Sequence, residues 1–252
     1  MKDKNGVKEY SSVGEETARN KFVNLFKECP IPEDQILSNL GLFLSSKNLS
    51  RILFLDHLYK NIIDTQGVVF DLGTRWGQNM SVFTALRGMY EPFNRHRKIV
   101  GFDTFSGFPE VTREDGDSDL MSTGNVSVTD DYDEYLKNVI NCQEKDNPLS
   151  HIKKNEVIKG DAVDSVEKYL KDNPETIVSL AYFDFDIYKP TKKCLELIKD
   201  RVFKGSVLAF DELNDHDSPG ETLALMEVFG LNNIKLKRYR YNSRTSYFVV
   251  GY

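Results

Sequence analysis

Apolar residues in the first quarter of the chain recur at helical spacing: Phe22, Val23 and Phe26, then Ile36, Leu40, Phe43 and Leu44, then Ile52, Leu53, Leu55, Leu58 and Ile62. Pro30 and Pro32 interrupt the run, so residues 15–63 are expected to form separate helices. At Gly67 the pattern changes to a short β-branched and aromatic run, VVFDLG, followed by an amphipathic stretch from Gln78 to Met89. That reads as a strand feeding a helix. The unit recurs as KIVGFD at 98–103, NEVIKGD at 155–161, VSLAYFDFD at 178–186 and SVLAFDE at 206–212, with helical intervals between. Strands alternating with helices predict a parallel sheet in an α/β fold. Residues 113–134, acidic and rich in Gly and Ser, read as a mobile loop with a helix from Asp131 to Cys142 behind it. At the end, IKLKRYRY, a turn at Asn242 and Ser243, and SYFVVGY predict an antiparallel hairpin at the sheet edge.

The acids fall where such a sheet binds its ligands. Asp71, Asp103, Asp161, Asp184, Asp186, Asp211 and Glu212 all lie at or just past the carboxyl ends of predicted strands. Helix capping accounts for one or two of them. It does not account for Asp184 and Asp186 flanking Phe185, or for the adjacent Asp211 and Glu212, because crowded carboxylates repel one another and call for a cation.

Composition narrows the partners. With 33 Lys and Arg against 39 Asp and Glu, the formal charge of −6 gives no basic field for nucleic acid or an anionic membrane. No apolar run approaches the roughly 18 residues that span a bilayer, and no signal-like segment opens the chain. Three cysteines, Cys29, Cys142 and Cys194, have neither disulfide-framework nor zinc spacing, which suits a reducing cytoplasm.

The loop Asp71-Leu-Gly73-Thr74-Arg75-Trp76-Gly77 puts two glycines after a buried strand. A dinucleotide fingerprint would carry glycine where Arg75 stands, and an acid ahead of the loop repels phosphate. The acid suits instead the ammonium and sulfonium of S-adenosylmethionine. Asp71, Gly73, Thr74 and Gly77 are the expected first contacts. Asp103, with Thr104 and Ser106 beside it, is expected at the ribose, and Asp161 and Ala162 at the adenine.

GFDTFSGFPE at 101–110, DFDIYKPTKKCLE at 184–196 and the glycine–hydrophobic–acid segment 205–212 resemble the macrocin and novobiocin sugar O-methyltransferase family over residues 50–252. The second-strand motif is matched by Gly101, Phe102, Asp103, Phe105, Gly107 and Pro109, the fourth-strand motif by Asp184, Asp186, Tyr188 and Thr191. The family's second aspartate after the fifth strand is Glu212 here, and its first-strand glutamate is the shorter Asp71. The resemblance implies a three-layer Rossmann-like methyltransferase fold: a seven-stranded, mostly parallel sheet with a C-terminal antiparallel hairpin and an N-terminal helical cap. Residues 1–63 would be the arm or cap and 64–252 the catalytic domain. It implies methylation of a sugar hydroxyl with S-adenosylmethionine and magnesium, on a deoxysugar, a nucleotide sugar or a glycan- or natural-product-linked sugar.

In that picture Asp184, Asp211 and Glu212 hold the magnesium and Asp186 is the general base, with His216 as the competing base. Trp76 is placed beside the cofactor or in ordinary packing. The basic hairpin, Lys235, Lys237, Arg238, Arg240 and Arg244, is a solvated edge or a dock for a diphosphate. The N-terminal helices and the 113–134 loop are the segments expected to cover the acceptor, and the arm suggests a homodimer. Two alternatives stay open. Asp184-Phe185-Asp186 is also the D-x-D of metal-dependent nucleotide-sugar glycosyltransferases, although those have no use for the Asp71–Gly77 loop with Asp103 one strand on. A cofactor-binding protein without chemistry would keep the same fold.

Overall fold

A computed structural model describes residues 11–252, and the first ten residues of the expected arm lie outside the described residues. Five strands run parallel: β1 (Val68–Leu72), β2 (Ile99–Asp103), β3 (Asn155–Lys159), β4 (Val178–Phe183) and β5 (Val207–Phe210). β7 (Ser246–Val249) pairs antiparallel with β5, and β6 (Lys237–Arg238) with β7, so the order across the sheet is β3-β2-β1-β4-β5-β7-β6. Every residue of β1, β4 and β5 is buried. That is why these strands read as continuous apolar runs rather than alternating ones: helices cover both faces.

On one face, Phe70, Phe102, Phe183, Phe210 and Phe248 pack with α6 (Ala162–Asp172), α7 (Tyr188–Ile198) and α8 (Gly220–Val228). On the other, Val69, Ile99, Leu180, Tyr182 and Val207 pack with α3 (Ser46–Lys60), α4 (Gln78–Tyr90) and α5 (Tyr132–Lys145). The result is the three-layer, Rossmann-like sandwich that the sequence predicts. The chain winds from β1 through β2 to β3 in one direction and from β4 to β5 in the other, so the reversal lies between β1 and β4. A crevice outside the carboxyl ends of these two strands is the place where such a sheet takes its ligand.

Three elements depart from the sequence pattern. Residues 15–63 form separate helices as expected, but of these only α3 reaches the core, through Phe54, Leu55, Leu58 and Tyr59. α1 (Val13–Lys27), opened by a Ser12–Glu15 capping box, buries none of its residues, nor do α2 (Glu33–Ile36) and the 3-10 turn Leu37–Phe43. Their rings meet each other instead: Phe26 stands edge-on to Phe43 at 4.9 Å. The hairpin strand β6 is two residues long rather than a full partner for β7, because the chain from Tyr241 to Arg244 turns toward the crevice. The 113–134 segment is pinned, not loose: Asp115 is fully buried and accepts from the backbone N–H of Tyr188 at the start of α7 and from that of Thr112. Among the described residues no helix is long and apolar enough to cross a membrane.

Candidate active site

A cavity of about 850 Å³ opens at the reversal of strand order. The turn after β1 forms one wall. A Cβ on Gly73, where φ is +94°, would stand 2.1 Å from the carbonyl oxygen of Asp184, and one on Gly77, at φ +75°, would meet Leu136 at 2.2 Å. Both glycines also carry a positive φ, so a side chain at either position would be strained as well as crowded. Asp103 braces this turn: its Oδ2 accepts from the Arg75 N–H at 2.7 Å and its Oδ1 from the Phe105 N–H at 2.6 Å. The turns beyond β1, β2 and β4 each carry a non-glycine residue in the left-handed region, Arg75 at φ +47°, Phe105 at +57° and Asp186 at +61°. Strain of this kind gathers where a site fixes its geometry in advance.

Asp71 is wholly buried, one layer behind the lining. Its Oδ1 accepts from the Asn79 side-chain amide at 3.2 Å and its Oδ2 has no partner. Burial pushes its pKa up to about 6, against the opposing pull of Asn79 and Arg51. An orphaned buried carboxylate oxygen marks a place that lacks a donor or a cation. The donor set fits S-adenosylmethionine: Asp71 for the ammonium, Asp103 with lone pairs to spare for ribose hydroxyls, and Phe108 and Ala162 as apolar walls.

The register of the sheet brings β4 and β5 to the same level. The Asp184 N–H donates to Leu72 O at 2.8 Å and the Asp211 N–H to Phe183 O at 3.1 Å. Arg51, from α3, spans the two side chains, with Nη2 2.7 Å from Asp184 Oδ2 and Nη1 3.3 Å from Asp211 Oδ1. The same guanidinium donates from Nε and Nη2 to Asn79 Oδ1, at 3.2 and 3.1 Å. Tyr182 donates its hydroxyl to Asp211 at 2.8 Å. Glu212 is ion-paired with Arg244, and its Oε2 has no partner. Beneath them lies Glu221, fully buried in the first turn of α8, accepting from the backbone N–H groups of Phe185 (3.2 Å) and Glu212 (3.4 Å).

These carboxyls outnumber their cations. Burial first and Asp211 second hold Asp184 well above the usual carboxylate range. The same two causes push Asp186 up to about 6, against the pull of Arg244, Arg75 and Arg51. Glu221 is raised well above its ordinary value by burial and by Asp186, Asp184 and Asp211. A hard cation would suit the oxygens in kind. In disposition they do not fit one: Arg51 holds Asp184 and Asp211, Arg244 holds Glu212, and among the described residues no three or more His, Cys, Asp or Glu are grouped to hold a metal.

Of the residues singled out in the sequence, Gly73, Thr74, Asp103, Thr104, Asp161, Ala162, Asp184, Asp186, Asp211 and Glu212 line this one cavity. Gly77 and Ser106 stand outside the lining, with Gly77 capping α4. Asp161 caps α6, accepting from Val163 N–H at 2.9 Å, so the capping role and the lining role coincide in one residue. His216 stands outside the lining, its imidazole fully exposed and 3.7 Å from Asp217. Half-exposed Trp76 lines the rim and stands edge-on to Tyr132 at 4.8 Å. The residues that sequence reasoning missed are Arg51, Asn79, Tyr182 and Glu221. Only Asn79 carried a signal, its place in the first turn after the Gly73–Gly77 loop.

No family model matches the chain, and no curated protein matches it. Solved structures do. CalS11, a calicheamicin methyltransferase, is 37% identical over 96% of this chain and 95% of that one, with a TM-score of 0.94. An apo structure of CalS11, described as TDP-rhamnose 3′-O-methyltransferase of calicheamicin biosynthesis, is 34% identical over 96% and 97%, with a TM-score of 0.85. The O-methyltransferase NovP shares the fold alone, at 14% identity over 80% of each chain and a TM-score of 0.61.

Proposed function

The chain belongs to the macrocin- and novobiocin-type sugar O-methyltransferase family of S-adenosylmethionine-dependent enzymes, and from that premise we propose that it methylates a hydroxyl of a nucleotide-linked deoxysugar with Asp186 as general base. One observation carries the reading: Asp186 lines the same cavity as Asp103, with Asp71 behind it, so a base and a cofactor-binding edge face one space. The nucleotide-linked acceptor is supported by the 34% identity with the TDP-rhamnose enzyme. Family membership sets the glycosyltransferase alternative for the D-x-D aside.

S-adenosylmethionine, when bound, would supply the methyl group. Asp103 would hold it through lone pairs at the ribose, and Asp71, behind the cavity wall, would favour its positively charged end. Asp186 takes the proton that the acceptor hydroxyl loses as its oxygen forms the new bond to carbon. A carboxylate raised to about 6 is still ionised at pH 7 yet more basic than one in water, which narrows the gap to a weakly acidic hydroxyl. Magnesium takes no part in this reading, because Arg51 already holds Asp184 and Asp211 and Arg244 holds Glu212. The three unpaired thiols suit a cytoplasmic enzyme, and the exposed apolar arm suits a homodimer.

Transfer of labelled methyl to TDP- and UDP-deoxysugars tests the reading. Asp186→Asn is expected to lower kcat by about 100-fold or more while leaving S-adenosylhomocysteine affinity unchanged. A near wild-type rate would remove Asp186 as base, and absence of S-adenosylhomocysteine binding in the wild type would sink the cofactor assignment.

A further inference from the structure

The Lys and Arg side chains that line the cavity are Lys47, Arg51, Arg75 and Arg244. Arg51 is held by Asp184 and Asp211, Arg244 by Glu212, and Lys47 is exposed on the first turn of α3. Arg75 is placed differently. The Gly77 N–H donates to Thr74 O at 2.7 Å, and in the tight turn so closed Arg75 is the first of the two central residues, with φ +47°. A turn of that kind calls for glycine, because a side chain there is strained. The backbone of Arg75 serves the fold through the N–H that donates to Asp103 Oδ2 at 2.7 Å, and glycine would make the same bond. A side chain kept at a glycine's position is kept for what its guanidinium does. Among the described residues that guanidinium forms no ion pair, and its buried Nε has no hydrogen-bond partner. Its charge pulls on both Asp103 and Asp186, against the burial that raises them, so it acts between the cofactor edge and the base.

S-adenosylmethionine carries a carboxylate beside its ammonium. Asp71 favours the ammonium, but the carboxylate would enter a cavity lined by Asp103, Asp184, Asp186 and Asp211, where an unmatched anion is repelled. It needs a cation that no carboxylate of the protein already holds, on the turn that follows Asp71. We propose that Arg75 holds the carboxylate at the methionine end of the cofactor, so that the site selects nucleosides that keep an intact amino acid. The inference rests on the cofactor assignment above and deepens it. A guanidinium fork matches a carboxylate in shape as well as in charge. With Asp71 favouring the ammonium and Arg75 the carboxylate, the single turn between β1 and α4 reads both charges of the amino acid. The buried Nε then gains the acceptor that the protein does not supply.

The test is calorimetric titration of the wild type, R75G and R75K with S-adenosylhomocysteine and with decarboxylated S-adenosylhomocysteine, which keeps the ammonium and lacks the carboxylate. The wild type should bind S-adenosylhomocysteine at least about tenfold more tightly than the decarboxylated ligand. Glycine suits the backbone of the turn, so R75G should fold and melt close to the wild type. It should lose about tenfold or more in affinity for S-adenosylhomocysteine while binding the decarboxylated ligand as the wild type does. R75K keeps the charge but loses the fork, so its affinity for S-adenosylhomocysteine should fall between the two. Should R75G melt far below the wild type, R75K carries the comparison. A residue that only shapes the turn would cost both ligands equally, and equal losses overturn the proposal. Unchanged affinity for S-adenosylhomocysteine in R75G overturns it as well. If R75G instead loses affinity for TDP alone, Arg75 belongs to the acceptor's phosphates and the proposal falls while the cofactor assignment stands. No binding of S-adenosylhomocysteine by the wild type overturns both.

Discussion

Asp71 shows how one residue trades stability for binding. It is fully buried, one carboxylate oxygen has no partner, and burial pushes its pKa up to about 6. A folded-state value above that of the unfolded chain means that the folded protein holds this proton more tightly. The stability so gained is full below about pH 4 and is lost as the pH rises through about 6. Above that, a buried anion remains, at a cost of order 2–3 kcal/mol in cofactor-free protein. Asp71→Asn keeps the shape and can still accept from Asn79. It is therefore expected to raise the melting temperature at pH 8, to lose that advantage near pH 4, and to weaken S-adenosylhomocysteine binding about tenfold or more. Calorimetric melts at the two pH values and a binding titration check it, and a variant that melts lower at pH 8 would contradict the assignment. The acid at this position is legible from VVFDLG alone. Arg51 is not: it sits on a different helix from Asn79, and no local pattern ties it to Asp71, Asp184 or Asp211.

At the scale of elements, the strand ends depend on a helix that sequence reasoning treated as ordinary. The first turn of α8 aims Glu221 at the backbone N–H groups of Phe185 and Glu212, fixing the turn beyond β4 to the turn beyond β5. Burial and three neighbouring carboxyls raise the pKa of Glu221 well above the usual carboxylate range. An amide keeps one acceptor but sets its NH2 against the second backbone N–H, because Phe185 and Glu212 donate to different oxygens of Glu221. Glu221→Gln, with one buried donor unpaired, should therefore cost about 1–2 kcal/mol, and Glu221→Ala, with two, about 2–4 kcal/mol. Denaturant unfolding of both decides it; equal losses would mean that the contacts to Phe185 and Glu212 carry no weight. The five parallel strands were legible because burial on both faces forces continuous apolar runs with an acid or glycine at the end. The length of β6 was not, because pairing ends where Tyr241–Arg244 leaves the sheet for the cavity, a tertiary event invisible in a run of alternating basic and aromatic residues.

For the whole molecule, the unresolved question is what the arm is for. α1 is 15 residues long and buries none of them, a length at which a helix alone in water is marginal. Beside it Leu37 is 79% exposed and Leu42 64%, and Phe22 and Phe26 find only Phe43. Exposed apolar side chains gathered on one segment mark an interface. The helical periodicity of residues 15–63 is matched by helices, but among the described residues the stripe up to Leu44 buries nothing in the core. Charge favours a second copy as the cover: Glu15 and Glu16 lie in the first turn of α1 and Lys27 in the last, so two arms related by a two-fold axis set each acidic end against the other's basic end. The protein should therefore sediment as a dimer. Phe26→Asp, outside the cavity lining, should shift it to monomer and lower its helix content, while the site formed by β1, β4 and β5 keeps its S-adenosylhomocysteine affinity. Light scattering together with a binding titration distinguishes the outcomes. A wild type that is monomeric at all concentrations, or a variant that stays dimeric, would mean that the arm is covered by something other than its own copy.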